Sequence, residues 1–313
     1  MLRNEVAHNH RMKHTLKITI TLVIFFFMAQ FTGLLIINKY IDHKKTVETK
    51  KVEWQPLPYN IERPEVKNQS TSFIYIIIAI LIGTILVLLL IKFNKPLIWK
   101  SWFFITVWLT LSIAFAAFIN NIIASILALV ISILKLYKPN IIIQNLSEIF
   151  IYGGLAAIFV PIINLFAAFM LLILISVYDY ISVFKTKHMI KLAEFQSSSK
   201  VFAGLLIPYG KTLQTTHKVS GLKGKSNSLK GKSVAVLGGG DIGFTLIFAG
   251  VVMKGLLLKE TMLIGFLKTL IIPIFVSFAL LILLLKGQQN KFYPAMPVLS
   301  LGCFIGYLIV WLI

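Results

Sequence analysis

Nine long apolar runs, joined by short segments rich in lysine, dominate this sequence of 313 residues. A helix needs about 20 apolar residues to cross the hydrocarbon core of a bilayer. The chain is 58% hydrophobic and only 13% charged, whereas soluble domains carry about 25% charged residues. The sequence therefore predicts an all-α, polytopic membrane protein with nine transmembrane helices.

The predicted spans cover residues 16–38, 71–91, 97–118, 122–136, 146–160, 162–184, 234–253, 261–285 and 294–313. The first run is longer than the apolar core of a signal peptide, which is about 7–15 residues, so it predicts a retained helix. Lys135 is predicted to help close the fourth span. Lys268 falls inside the eighth, where it either snorkels to the membrane surface or precedes a later helix start.

A lysine-rich segment, residues 185–233, divides the chain into three predicted regions. Residues 1–184 hold the first six spans, and residues 234–313 hold the last three. The glycines and serines of the segment are typical of a flexible linker. Its two Gly-Lys-Ser sequences lack the earlier glycine that a phosphate-binding loop requires. A short apolar patch within it, residues 201–207, is predicted to dock near the functional site.

The net charge of +20 comes mainly from lysines in the connecting segments. No nucleic-acid partner is expected, because no recognisable binding module accompanies the charge. Cytoplasmic loops of membrane proteins carry an excess of lysine and arginine. With nine spans, most of these residues fall on the side of the N-terminus and of residues 185–233. We therefore predict a cell-membrane protein with a cytoplasmic N-terminus and an external C-terminus.

Of the eleven acidic residues, only Asp179 and Asp241 lie well inside apolar runs, while Glu148 lies at the edge of a span. A carboxylate within a membrane helix costs about 2.5–3.5 kcal/mol on insertion scales, so such a residue indicates a functional site. The alternative for either aspartate alone is a hydrogen bond between helices.

The two aspartates are expected at similar depth in adjacent antiparallel helices. Asp179 lies six residues before Lys185, about 9 Å inside the end of the sixth span. Asp241 lies nine residues after Lys232, where the seventh span enters from the same side. Two carboxylates in close, dry proximity cannot both be ionised, so they share a proton. Such a pair can activate water, one carboxylate removing its proton while the other polarises a peptide carbonyl.

The glycines before Asp241 also fit a dinucleotide-binding turn, because Gly238, Gly240 and Gly243 have the G-x-G-x-x-G spacing. That turn needs alternating strands and helices around it, and the predicted membrane spans on both sides exclude this. The chain also lacks the H-E-x-x-H and G-x-S-x-G motifs, which argues against zinc metalloproteases and serine hydrolases.

Three short motifs occur in order at the ends of predicted spans: Tyr178-Asp179, Gly238-Gly239-Gly240-Asp241 and Pro294-Ala295-Met296. They resemble the YD, GxGD and PAL motifs of presenilins and signal peptide peptidases, the GxGD intramembrane aspartyl proteases. The sequence around Tyr178 is especially similar to the archaeal branch of that family. Met296 stands where the family usually has leucine, a nearly volume-conserving difference.

The resemblance implies a GxGD-type aspartic endopeptidase with Asp179 and Asp241 as its catalytic residues. It further implies that the substrates are transmembrane helices of membrane proteins or signal peptides, embedded in the lipid bilayer. No cofactor, no metal and no obligatory accessory subunit are expected.

The other motif residues are predicted to bind substrate. Gly238, Gly239 and Gly240 would let the backbone approach an extended substrate, although they could instead serve helix packing. Residues 234–237 would supply an edge strand that pairs with the substrate.

The Pro294-Ala295-Met296-Pro297 sequence would keep the start of the ninth span unravelled and its carbonyls exposed, unless its prolines merely begin an ordinary helix. Tyr178 would either donate a hydrogen bond near the aspartates or anchor its helix at the membrane interface.

The rival interpretation is an ion or proton-coupled transporter or channel in which Asp179 and Asp241 form a cation site. It predicts ion flux and no peptide product. The sequence around Pro294 favours the protease, because a conduction path has no evident need for it.

Overall fold

The structure, a computed structural model, describes residues 16–186, 192, 195–196, 201–209, 233–287 and 293–313; the predicted basic tail and most of the lysine-rich segment lie outside the described residues. The helices are α1 (Leu16–Lys39), α2 (His43–Thr49), α3 (Ser72–Lys92), α4 (Pro96–Ala116), α5 (Asn121–Tyr137), α6 (Ile141–Phe159), α7 (Leu165–Phe184), α8 (Gly239–Leu256), α9 (Met262–Thr269), α10 (Ile271–Lys286) and α11 (Met296–Leu312). Two strands, β1 (Gly204–Tyr209) and β2 (Ser233–Gly238), lie between α7 and α8.

Among the described residues, seven helical segments are long and apolar enough to cross a membrane: Leu16–Lys39, Gln69–Lys92, Pro96–Ala116, Ile141–Ile162, Leu165–Phe184, Gly239–Leu256 and Met262–Lys286. Two shorter apolar helices, α5 and α11, coincide with the predicted fourth and ninth spans. The prediction of a multi-pass helical membrane protein is therefore confirmed. The count of nine spans stays a prediction, because α5 and α11 have only 17 residues each.

The helix α6 lies in the middle of the bundle because two glycines let its neighbours approach closely. A Cβ at Gly153 would lie 3.1 Å from the Cα of Gly33 on α1. A Cβ at Gly154 would overlap the carbonyl oxygen of Thr110 on α4. Small residues at helix contacts improve van der Waals packing in membrane proteins. This packing matters because lipid tails are as apolar as the side chains, so the hydrophobic effect does not drive helices together.

The fifth and seventh spans begin at other residues than predicted. Asn140 caps α6 by accepting a hydrogen bond from the amide of Ile142, so the fifth span starts at Ile141 and Glu148 lies inside the helix rather than at its edge. Residues 234–238 are strand, and α8 begins only at Gly239. Their Val-Ala-Val-Leu sequence is rich in β-branched residues, which favour strands.

The strands β1 and β2 pair in antiparallel fashion, with Gly204 opposite Gly238 and Tyr209 opposite Ser233. The lysine-rich segment thus contains a strand at residues 204–209, whose backbone groups bond to β2 or, at Leu206, to Asn145. The glycines and serines that predict a flexible linker, at residues 221–228, lie outside the described residues. The apolar patch at residues 201–207 contains the first four residues of β1, and Leu205 is fully buried.

Two lysines near span ends have specific partners. Lys268 lies inside α9 and reaches back to Glu260, with Nζ and Oε1 2.6 Å apart, so of the two alternatives it snorkels towards the start of its span. Lys135 does not simply close the fourth span. It is 4% exposed and forms an ion pair with Glu148, because α6 presents a carboxylate directly opposite it.

Candidate active site

Asp179 and Asp241 line one cavity of about 330 Å³ between α3, α7, α8 and the start of α11. Asp179 is 7% exposed, Asp241 is partly buried, and their carboxylates are close enough to interact electrostatically. Apolar side chains form most of the remaining wall: Ile77, Ile80, Leu81, Leu174, Ile175, Val177, Ile181, Phe244 and Met296. In the described part of the chain, the aspartates belong to no group of three or more potential metal ligands.

Asp179 is held by hydrogen bonds from two elements. Its Oδ2 accepts a hydrogen bond from the backbone amide of Met296 at 3.1 Å, and the hydroxyl of Ser182 donates to its carbonyl at 2.9 Å. The Met296 amide lies at the N-terminus of α11, where amides have no partner within the helix. A helix N-terminus also favours a carboxylate electrostatically. The last predicted span therefore contributes directly to the site.

The start of this span differs in one respect from the sequence prediction. Pro294 and Ala295 precede α11 and both are partly buried, but Pro297 already lies in the first helical turn. The group that donates to Asp179 here is the amide of Met296, and the exposure of carbonyls at the start of this span stays a prediction. A proline in the first turn costs no hydrogen bond, because amides there have no helical acceptor.

Asp241 lies in the first turn of α8, which α1 holds from the opposite side. Gln30 of α1 donates to the carbonyl of Ile242 at 2.9 Å and to the hydroxyl of Thr245 at 2.8 Å. That hydroxyl in turn donates to the carbonyl of Asp241 at 2.8 Å. The Asp241 carboxylate lies beside Gly238, with Oδ2 3.4 Å from the position that a Cβ of Gly238 would take. The hydrogen bonds from Gln30 and Thr245 fix the backbone that carries Asp241.

The three motif glycines have different surroundings. Gly238 and Gly240 line the cavity, where bare backbone leaves room for an approaching chain. Gly239 contacts α6 instead, and a Cβ there would overlap the hydroxyl of Tyr152. Of the two alternatives from the sequence, close helix packing applies to Gly239. The approach of a substrate backbone at Gly238 and Gly240 stays a prediction.

Tyr178 also lines the cavity. Its hydroxyl lies 3.0 Å from the hydroxyl of Thr84 on α3. This contact joins α3 to α7 beside Asp179, so Tyr178 forms part of the cavity wall.

The outer edge of β1 is already occupied by Asn145 of α6. The Asn145 amide donates to the carbonyl of Leu206 at 2.8 Å and accepts from its backbone amide at 2.9 Å. Since these groups point away from β2, Leu206 and its partner Val236 form a non-hydrogen-bonded pair. The backbone groups of Val236 therefore point towards the outer edge of β2, and its side chain is 49% exposed.

The polar face of α6 was not predicted from the sequence, which placed Glu148 only at the edge of a span. Gln144, Glu148 and Tyr152 are spaced by four residues and lie on one buried face. The available signal was this spacing, because residues four apart on a helix are neighbours. Lys135 completes the group from α5.

Gly240→Ala is expected to reduce substrate turnover without unfolding the protein. A Cβ at Gly240 meets only Phe244, at 3.6 Å, so the melting temperature should stay within about 2 °C. The new methyl group faces the cavity, and one extra methyl in a binding site typically costs about 1–3 kcal/mol, or at least tenfold in kcat/KM. Gly255→Ala on the same helix has nothing within 4 Å and should retain wild-type kcat/KM. Equal activity of both variants would contradict the assigned role of Gly240.

Comparison with known proteins places these observations in context. A family model described as "Signal-peptide peptidase, presenilin aspartyl protease" matches residues 57–313. Two solved structures of a presenilin family intramembrane aspartate protease, in space groups C222 and P2, are similar to this fold. The first has a TM-score of 0.58 and 18% identity, covering 94% of this chain and 98% of that chain. The second has a TM-score of 0.57 and 18% identity, covering 93% and 96%. No curated protein sequence matches the chain.

Proposed function

The chain belongs to the signal-peptide peptidase and presenilin family of aspartyl proteases and is an intramembrane aspartyl protease, and we propose that Asp179 and Asp241 are its catalytic residues. The substrates are transmembrane helices of membrane proteins or signal peptides. One observation carries the proposal: two carboxylates on neighbouring membrane helices line a single, otherwise apolar cavity. Acidic residues are costly within the membrane, and their convergence at one point indicates shared chemistry.

The proposed reaction uses one proton shared between the two carboxylates. The ionised carboxylate takes a proton from water as the water oxygen bonds to the peptide carbonyl carbon. The protonated carboxylate donates a hydrogen bond to the carbonyl oxygen, and this makes the carbonyl carbon more electrophilic. The carboxyl group that took the proton from water then gives it to the amide nitrogen, and the C–N bond breaks as the carbonyl re-forms. The two carboxylates again share one proton, and one water molecule has been consumed for each bond cleaved.

The substrate helix must unwind before this reaction, because helical backbone groups are occupied by their own hydrogen bonds. We assign its extended form to the outer edge of β2, since Asn145 blocks the outer edge of β1. In the described part of the chain β2 pairs only with β1. Pairing at Val236 would lead the substrate past Gly238 and Gly240, whose bare backbone lines the cavity. Strand addition of this kind supplies main-chain hydrogen bonds.

The charge distribution supports a cytoplasmic position for the N-terminus and for the segment that contains β1. The catalytic aspartates would then lie nearer the cytoplasmic end of their helices, as in presenilins. Substrates with external N-termini are favoured by this orientation. The protein acts in the cell membrane without an obligatory accessory subunit in this proposal.

The test is purified protein in liposomes with a tagged single-span substrate. Mass spectrometry should find two fragments whose masses sum to the substrate plus one water, and Asp241→Asn should leave the substrate intact. An ion-uptake assay on the same vesicles separates the protease from a transporter. If wild type leaves the substrate uncut while its ion uptake is lost in Asp241→Asn, the protease proposal is overturned.

A further inference from the structure

A buried polar cluster lies outside the catalytic cavity, and Glu148 of α6 is its centre. Its Oε1 accepts hydrogen bonds from Lys135 Nζ at 2.5 Å and from Gln144 Nε2 at 3.0 Å. Its Oε2 accepts from the hydroxyl of Tyr152. Lys135 also donates to the hydroxyl of Ser147 at 2.9 Å. The Lys135 and Glu148 side chains are 2% and 1% exposed, so this is an ion pair without access to water.

One arm of the cluster, Tyr152, reaches the first turn of α8, which carries Asp241. The hydroxyl of Tyr152 lies where a Cβ of Gly239 would be, and its ring lies 3.6 Å from the Cβ position of Gly243. It is also close enough to Asp241 for an electrostatic interaction. Tyr152 therefore packs against the backbone on both sides of Asp241, and its bond to Glu148 fixes the position of its ring.

The other arm, Gln144, reaches β1, which pairs with the strand before α8. Gln144 Nε2 donates to the carbonyls of Phe202 and Gly204, each at 2.9 Å. Gly204 is the residue that pairs with Gly238, and the amide of Gly239 donates to the carbonyl of Ala203 at 3.2 Å. Both arms therefore converge on the turn from β2 into α8.

Stability alone does not account for such a cluster. A buried ion pair must offset the desolvation of two charges, and apolar residues of similar volume are often equally stabilising or more so. Ionisable groups within membrane helices more often mark function. The contacts of this cluster end at the first turn of α8, which carries Asp241, and at β1, which pairs with the strand before that turn. They indicate a role in positioning Asp241.

We propose that Glu148 is a positioning residue for Asp241, with Lys135 as its counter-ion. Through Tyr152 it holds the first turn of α8, and through Gln144 it holds β1, so that Asp241 stays beside Asp179. The proposal rests on the proposed function, because the reaction requires the two carboxylates to remain together. A displacement of about 1 Å at a reacting group can cost on the order of 100-fold in rate.

Two variants test this role. Tyr152→Phe keeps the ring against Gly239 and removes only the bond to Glu148, and we expect kcat to fall about tenfold with KM within twofold. The paired variant Lys135→Met/Glu148→Leu replaces the ion pair with apolar side chains. We expect it to stay folded, because apolar packing offsets the loss of the ion pair, with a melting temperature lowered only by the unpaired Tyr152 and Gln144 donors, while kcat falls at least as far. Ser132→Ala, a buried hydroxyl on α5 bonded to its own helix at Ala128, is the matched control with wild-type kcat.

Hydrogen exchange of residues 238–241, followed by mass spectrometry, provides a readout that does not depend on cleavage. Exchange should be faster in Tyr152→Phe than in wild type or Ser132→Ala. Wild-type exchange in Tyr152→Phe overturns the positioning role, and so does wild-type kcat in this variant or in a folded paired variant. If wild type itself cleaves no substrate, the proposed function fails, and the exchange measurement still decides the positioning role.

Discussion

Asp179→Asn and Asp241→Asn are each expected to lower kcat by about 10⁴-fold, the upper range for removal of a general acid or base. Asparagine has the size of aspartate but neither accepts nor supplies the proton that the reaction moves. The measurement is initial cleavage rate with purified protein and a helical substrate in detergent or liposomes. The double variant should be no slower than either single variant, because the two groups act as one unit.

The control for this loss is Asp42→Asn, at a carboxylate outside the cavity. Asp42 caps α2 by accepting a hydrogen bond from the amide of Lys45 at 3.1 Å, and asparagine is an equally good cap. Its activity and melting temperature should therefore match wild type. If either active-site variant kept a tenth of wild-type activity, a mechanism that needs both carboxylates would be wrong.

Gly204→Ala is expected to cause the second largest loss, about 100-fold in kcat, which is typical when a reacting group moves by about 1 Å. Gly204 has φ of +143°, a conformation that other residues rarely adopt. An added Cβ would also overlap the carbonyl oxygen of Leu237 in β2. The end of the strand pair must therefore shift. That end includes Gly238, and Asp241 follows three residues later in the chain.

The measurement combines kcat with the melting temperature in detergent. Gly83→Ala on α3 is the matched control, because a Cβ there has nothing within 4 Å. It should retain wild-type activity. If Gly204→Ala cleaved substrate at the wild-type rate, the strand pair would not determine where Asp241 lies.

The membrane fold and the two candidate catalytic residues could be inferred from the sequence because both depend on the free energy of placing single residues or short segments in a bilayer. An apolar run of sufficient length spans a bilayer whatever its neighbours are. A carboxylate inside such a run is expensive enough to stand out in a single sequence. Asp179 lies near the end of the sixth predicted span and Asp241 near the start of the seventh, on the same side of the membrane. The order of the spans along the chain therefore already predicted that they share one site.

The surroundings of that site depended on tertiary contacts between distant parts of the chain. Gln144 and Gly204 are separated by 60 residues, and no local pattern pairs them. Residues 234–238 form a strand rather than the start of a helix, because β1 satisfies the backbone groups of alternate residues among them.

The same holds for the polar residues of the bundle. In the sequence Glu148 lies at the edge of a predicted span, and only the fold places Lys135 of α5 against it. Gly239 and Gly240 are identical neighbours in sequence, yet one faces Tyr152 and the other the cavity. Hydropathy and the cost of buried charge act residue by residue and can be read from the chain. Hydrogen-bond partners and close packing are properties of pairs, so only the folded structure decides them.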